Sequence, residues 1–541
     1  MRPRSIYLIL FSAGALVIGF LLFARSQQHD PNPPANSPSA ISAADPARSP
    51  VNAAITATVD AGLARLSAML VSRDARPKEA TLTFKDDAAY RRFLARAQAQ
   101  GLTIVDQLDG LRSVRVRYDR VASLQKDLAQ NAADYADASA NYFLRIPEKP
   151  ARADRAEITQ VPLRNGTLAF LGATGDRSTW GRGVTLAFLD SGVSALDPTF
   201  TGRVRTLDVG AGSLPGTTGE AGHGTAVAAL AAGIAADAPG VAPAANLISI
   251  RVTGADGLSD IFTVARGILA AVDAGAQIIN ISLGGYGTTA VLTAAIDYAE
   301  AHGTLIVAAA GNDQANQLTW PAADTRVVSV GAVDAVGQQV TFSNSSPQLQ
   351  ITAPGYGVQT AWLDGQRVYV DGTSASSPIV AGAIAAVMSA NPGYTATQAW
   401  EVIAATTSDA GAPGADADYG RGILNLGWAM SHNDLTRVDP AISTHYYDAA
   451  NSQMEFVVQN RGGQSISGLT LDVDTDGFTT TYRVPSLGPG ASTVIAVPVD
   501  QKNLVANGSI KYTTTLSPPI GTVDQDFSNN IKTSRLTPPK K

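Results

Sequence analysis

The sequence predicts three folded regions: an α+β module, a doubly wound and mostly parallel α/β sheet, and an all-β sandwich of immunoglobulin type. Three observations predict them. Over residues 156–433, short continuous apolar runs alternate with helical patterns, as in a parallel sheet covered on both faces. Over 79–147 the order is β-α-β-β-α-β, the split βαβ or ferredoxin-like arrangement. Over 436–533, short alternating strands are spaced by turn residues. The chain has 541 residues, 45% of them hydrophobic and 16% charged, which is ample material for several cores. A net charge of -6 without a basic block argues against a nucleic-acid partner. There is no cysteine, which excludes a disulfide framework, a thiol nucleophile, a thiolate metal site and a lipid-modified cysteine anchor.

Taken in order, residues 1–26 are a targeting segment. Arg2 and Arg4 precede an uncharged run from Ile6 to Ala24, closed by Arg25. The run reaches the roughly 18 residues that can span a bilayer, whereas a cleaved signal core has about 7 to 15. Its length favours an uncleaved anchor in the inner membrane, with the N-terminus cytoplasmic and the remainder exported. Ala24-Arg25-Ser26 also meets a small-x-small cleavage rule, so a signal peptide on a secreted protein is the other expectation. Residues 27–78 are rich in Pro, Ser, Ala and Asn and read as a disordered linker, with one short helix over Ala53 to Val71.

In the module, Thr81 to Phe84 alternate as a strand, and Asp86 caps a helix that places Tyr90, Phe93, Leu94 and Ala97 on one face until Gly101 stops it. Asp109-Gly110 predicts a tight hairpin between Leu102–Gln107 and Leu111–Tyr118. A helix through Val121, Leu124 and Leu128 and a strand over Asn141 to Ile146 complete it.

In the α/β region, strands are expected at Val184–Leu189, Leu247–Val252, Ile278–Leu283, Leu305–Ala310 and Val327–Val333, with helices at Ala226–Ile234, Asp260–Ala274 and Thr289–His302. Such sheets bind ligands beyond the carboxyl ends of their strands. Asp190 lies there, as do Ser282-Leu283-Gly284-Gly285 and Gly311-Asn312. His223, in Gly222-His223-Gly224-Thr225, opens an alanine-rich helix and is the one histidine of five set between glycines at a helix mouth. Asp371-Gly372-Thr373-Ser374 opens another, with Pro378 assigned to its first turn. An acid, an imidazole, a hydroxyl and an amide at one rim fit acyl transfer. The imidazole of His223 would take the Ser374 proton, Asp190 would fix its tautomer, and Asn312 with the Ser374 backbone N–H would stabilise the oxyanion.

Leu189-Asp190-Ser191-Gly192, Gly222-His223-Gly224-Thr225, Ala310-Gly311-Asn312 and Gly372-Thr373-Ser374 with Pro378 resemble the subtilisin family of serine peptidases, in that family's Asp, His, Asn, Ser order. The resemblance covers 156–433 and implies a serine endopeptidase acting on polypeptides. It also implies that Ser282, Leu283, Gly284 and Gly285 form one wall of the primary specificity pocket, with Gly254-Ala255-Asp256-Gly257 opposite. It further implies that 79–147 is a propeptide, an intramolecular inhibitor cleaved somewhere between Arg145 and Arg164. Departures from the family pattern are Ala375, Ser376, Ile379 and Ala226, none of which removes a proton-transfer group. No metal ligand cluster is assignable, and calcium is implied only as an ion that relatives use. The sandwich resembles CARDB-like domains, with no ligand assignable. The rival reading is a catalytically inactive subtilisin fold that serves as a surface or binding protein.

Overall fold

The computed structural model describes residues 61–147, 160–210, 222–254 and 256–537. The expected anchor and most of the linker lie outside the described residues. Two compact units emerge: one runs to Phe143 and includes Asp260–Arg266 and Gly287–Ala295, and the other comprises the rest.

The first unit begins with helix α1 (Ala61–Leu70). It continues with β1 (Ala75–Phe84), α2 (Asp87–Arg96), β2 (Leu102–Leu108), β3 (Ser113–Tyr118), α3 (Val121–Gln130) and β4 (Tyr135–Arg145). The strands order β2-β3-β1-β4, all neighbours antiparallel. Asp86 caps α2 by accepting from the Ala89 N–H at 2.7 Å, and Gly101 takes the left-handed conformation that ends the following turn. Leu82, Phe84, Phe93, Val116 and Leu124 form the core.

Three boundaries differ from the sequence reading. Strand β1 starts at Ala75, inside the stretch read as linker. Strand β4 starts at Tyr135, six residues before Asn141: its first half pairs with β1, but Ala136, Asp137, Ala138 and Ser139 are weak strand formers that leave no pattern in the sequence. The turn at Asp109 is a 3₁₀ turn whose left-handed residue is Arg112, not Gly110. Asp109 is occupied there as acceptor for the Tyr90 hydroxyl at 2.5 Å.

Charged groups of this unit meet the first turns of the helices that begin at Ile261 and Ala290, both of which belong to the same unit. Glu79 is ion-paired with Arg115 at 2.7 Å and Arg117 at 3.0 Å. Burial alone would raise its carboxyl, but these partners and Asn141 hold it below the usual range. Arg115 and Arg76 reach Asp260 at 3.2 and 3.0 Å, and Asp260 caps the helix at Ile261 by accepting from the Thr263 N–H. Asp137, raised by burial, accepts from the Ala290 backbone N–H at the start of the next.

The second unit is built on a seven-stranded sheet with all neighbours parallel. In chain order its elements are β5 (Thr185–Asp190), β6 (Val204–Asp208), α4 (His223–Ala232), β7 (Asn246–Arg251), α5 (Ile261–Asp273), β8 (Ile278–Ile281), α6 (Ala290–Ala301), β9 (Leu305–Ala309), β10 (Val328–Val333) and β11 (Ile351–Pro354). The strand order is β11-β10-β9-β8-β5-β7-β6. A hairpin, β12 (Val358–Ala361) with β13 (Arg367–Val370), leads into α7 (Thr373–Ala390). Helix α7 is buried along almost its whole length, because its Ala and Gly positions let neighbouring backbone close in. It is long and apolar enough to cross a membrane, yet 89% of it lies inside the protein.

Two further sheets follow, β14 (Pro440–Asp448), β15 (Gln453–Asn460) and β18 (Ser492–Pro498) in one, β16 (Thr470–Thr475), β17 (Phe478–Arg483), β19 (Ile510–Ser517) and β20 (Ile531–Leu536) in the other. Phe456, Val458, Leu471, Val473 and Tyr512 fill the space between them. His445 sits inside this sandwich, its two ring nitrogens 2.7 Å from the hydroxyls of Ser534 and Thr514. Burial, aided by the Lys532 charge, pushes this imidazole down to about 3. Between that value and the free-histidine value of about 6.5 the unfolded chain binds a proton that the folded chain does not. Stability from this group is therefore complete above about pH 6.5 and declines as pH falls towards 3, by at most about 1.4 kcal/mol per pH unit. Thermal unfolding of the sandwich should move to lower temperature between pH 7 and 4, and more steeply in wild type than in His445→Gln; equal slopes would reject the assignment.

Candidate active site

Four residues are delivered to one rim by four local devices. Asp190 is the last residue of β5, 1% exposed, and its Oδ1 lies 2.8 Å from Nδ1 of His223 while accepting from the Ser191 N–H at 2.7 Å. His223 is the first residue of α4, and both flanking glycines are dictated by contact. A Cβ on Gly224 would lie 2.3 Å from the Gly192 carbonyl oxygen, and one on Gly222 would enter the Trp362 indole at 2.1 Å. The histidine backbone is thus wedged between a neighbouring loop and a ring, which leaves the imidazole one place to go.

Ser374 is the second residue of α7, entered through Gly372 at φ 139°, a conformation closed to ordinary side chains. A Cβ on Gly372 would lie 2.8 Å from Nδ2 of Asn312 and 3.0 Å from Oγ of Ser374, so amide and hydroxyl stand side by side around that point. The amide is oriented: Oδ1 of Asn312 accepts from the Thr373 N–H at 2.9 Å and the Thr373 hydroxyl at 2.8 Å, which leaves Nδ2 to face the serine. Pro378 is the sixth residue of α7, not in its first turn as the sequence reading placed it. Lacking an N–H, it cannot bond the carbonyl four residues earlier, which is that of Ser374. Ser282 satisfies that carbonyl instead, at 3.0 Å. Ser282 in turn accepts from Asn280 at 2.9 Å, and Asn280 accepts from the Ser377 hydroxyl at 2.7 Å, all three residues at most 1% exposed. Ser376 adds bonds to the carbonyls of Ala353 and Pro354.

The helices that carry His223 and Ser374 pack against each other at Gly382, where a Cβ would meet the Ala231 carbonyl oxygen at 2.8 Å. Each contact lies roughly 12 Å along its helix from His223 or Ser374, at 1.5 Å per residue, which keeps the two N-termini at the same rim.

Leu283 is buried, Gly285 is paired through its backbone with Trp320, and Gly284 turns its N–H and C=O the other way. The tail of β4, Arg145 with Ile146 just beyond it, lies against Gly284. Arg145 exchanges two backbone hydrogen bonds with Gly284, at 2.9 and 3.0 Å, and the Ile146 N–H donates to the Gly257 carbonyl at 3.1 Å. Ala255, in the second expected edge, lies outside the described residues. Sequence reasoning missed Thr373, Asn280, Ser376 and Ser377 as positioning residues; a short polar side chain in an apolar run is their only trace. Among the described residues no group of three or more His, Asp or Glu gathers where it could hold a metal ion.

Comparison with known proteins decides the family. The Peptidase S8, subtilase family model matches residues 181–422. The thermostable alkaline protease of Halalkalibacterium halodurans is 34% identical over 257 residues, covering 47% of this chain and 69% of that protein. Subtilisin BL of Lederbergia lenta is 34% identical over 258 residues, covering 47% of this chain and 93% of that protein. The chain belongs to the subtilase family. The crystal structure of an epidermin leader peptide processing serine protease, EpiP, from Staphylococcus aureus shares the fold, with a TM-score of 0.54 and 20% identity over 65% of this chain and 98% of that one. For this subtilase, Asn312→Ala is expected to lower kcat by about a hundredfold to a thousandfold with little change in KM, a magnitude known from the same change in subtilisin. Steady-state kinetics on a chromogenic peptide checks it, and undiminished kcat would exclude Asn312 as an oxyanion donor.

Proposed function

We propose that this subtilase is an exported serine endopeptidase made as a zymogen, with Asp190, His223 and Ser374 as its triad. The Ser374 oxygen adds to the carbonyl carbon of a peptide bond while its proton passes to His223. Asp190 holds the imidazole with Nδ1 protonated and stabilises the cation that forms. The Asn312 amide and the Ser374 N–H, a first-turn donor without a helical acceptor, receive the charge on the carbonyl oxygen. His223 then protonates the leaving amine, and water repeats the sequence in reverse roles to free the acid.

The observation that carries this reading is the 2.8 Å pairing of Asp190 with His223 at the rim where Ser374 stands beside Asn312. The tail at 144–147, bonded as an added strand between Gly284 and Gly257, supports polypeptides as substrates and 79–147 as a propeptide and intramolecular inhibitor. We assign 156–433 to the peptidase domain, 436–533 to a CARDB-like appendage, and 1–26 to membrane anchoring or secretion. A fluorophosphonate probe tests the proposal: label and casein hydrolysis in wild type, both absent in Ser374→Ala, are expected. A soluble wild type that neither takes label nor degrades casein would reject it.

A further inference from the structure

The tail fixes a register, and the register selects a bond. Arg145 and Gly284 exchange both N–H···O=C bonds, so they form a hydrogen-bonded pair of an antiparallel ladder. In such a ladder the next pair of that type lies two residues along each strand, which sets Pro147 opposite Ser282. Ser282 is the residue whose hydroxyl donates to the Ser374 carbonyl at 3.0 Å. The tail therefore comes alongside Ser374 at Pro147. Leu144 and Ile146 are buried and Arg145 is exposed, the alternation of a strand pressed into a groove through every second side chain. Proline has no N–H, so the ladder cannot continue through Pro147 by donation to Ser282, and the strand ends where the nucleophile begins.

The adjoining wall is consistent with a compact residue there. Thr319 fills the space between the two glycine edges: a Cβ on Gly284 would lie 2.4 Å from its Oγ1, and one on Gly311 2.9 Å from its Cγ2. The threonine is pinned by its own N–H on the Ala310 carbonyl at 3.0 Å and by its hydroxyl on the carbonyls of Ala309 and Ala310, both at 3.3 Å. A side chain entering between those edges meets this methyl and hydroxyl and stops.

We infer that Pro147 supplies the acyl group when the chain cuts itself, and that Thr319 shortens the primary pocket so that it takes a compact residue before the cut. This rests on the peptidase reading above. The Ser374 oxygen bonds to the Pro147 carbonyl carbon, the bond to the Glu148 nitrogen breaks as that nitrogen gains the proton carried by His223, and water hydrolyses the ester to a Pro147 carboxylate and a restored serine.

Mass spectrometry of the full chain shortly after synthesis reads both new ends. A propeptide ending at Pro147 and a mature chain beginning at Glu148, both absent from Ser374→Ala, are expected; ends at any other bond overturn the inference. An uncut wild type that still hydrolyses peptides overturns this inference alone, whereas an uncut wild type without peptidase activity removes the reading beneath it. Pro147→Phe should slow processing roughly tenfold or more, and adding Thr319→Gly should recover most of that loss. Unchanged processing in Pro147→Phe, or no recovery in the double variant while it still takes fluorophosphonate, excludes the pocket assignment.

Discussion

Ser374→Ala is expected to lower turnover of a peptide substrate by about a millionfold, the known size of the effect in subtilisin, and, on the zymogen reading proposed above, to leave residues 79–147 attached. The alanine retains the helix start, since Gly372 and Pro378 set the backbone and Thr373 keeps its bonds to Asn312. The carbonyl of residue 374 also keeps its bond from Ser282. Only the oxygen that forms the acyl ester is lost, and neither water nor Asn312 can take its place as a nucleophile held against the carbonyl. The variant should therefore fold, bind its own tail and remain full length, which separates loss of chemistry from loss of structure. His223→Ala should be as damaging, because the serine then has no base and the two residues act as one unit. Casein turnover, fluorophosphonate labelling and the mass of the purified chain read the three consequences. Activity within about a hundredfold of wild type would mean that another group is the nucleophile.

The parts of this fold that were legible from sequence are those where burial alone determines the residue type. Strands β5 and β9 are covered on both faces and read as apolar runs, and β8 does so but for Asn280. Strand β6 was not foreseen: Val204–Asp208 is an edge strand with Arg205 and Thr206 exposed, so it has no pattern to distinguish it from a loop. Strand β17, with its threonines facing solvent, was hidden for the same reason. In the site, glycine-flanked Asp, His, Asn and Ser stand out because each marks a sharp change of backbone direction next to a reactive group. Asn280, Ser282 and Ser377 form one buried chain of hydrogen bonds, but Asn280 and Ser377 lie on opposite sides of the whole β9–β13 segment. Nothing in either local stretch names the other. The pairing of Arg145 with Gly284 is less visible still, since it is made entirely by backbone atoms that every residue carries. Pro378 shows the limit from the other side: the residue stands out in the sequence, but its consequence, a carbonyl freed at Ser374, appears only when the helix start is known.

Asp190→Asn should reduce kcat by about ten-thousandfold while KM changes little. Oδ1 of Asp190 accepts two hydrogen bonds, from the Ser191 N–H and from His223 Nδ1, and its burial keeps bulk water from substituting for either. The two bonds share one oxygen, so an asparagine that turns its amide N–H₂ to that position gives up the bond from Ser191 and donates to the ring, and that donor is satisfied only if Nδ1 is the unprotonated nitrogen. The proton is then on Nε2, the nitrogen that must be free to take the serine hydrogen, so the base is present in the wrong tautomer. The charge that would stabilise the imidazolium in the transition state is gone as well. Because neither loss touches the groove edges at Gly284 and Gly257, substrate binding should survive. Single-turnover kinetics on a chromogenic peptide would show the acylation step slowed with binding intact. A variant that keeps kcat within tenfold of wild type would mean that Asp190 serves only to hold the loop at Ser191, and that the orientation of His223 is set by another group.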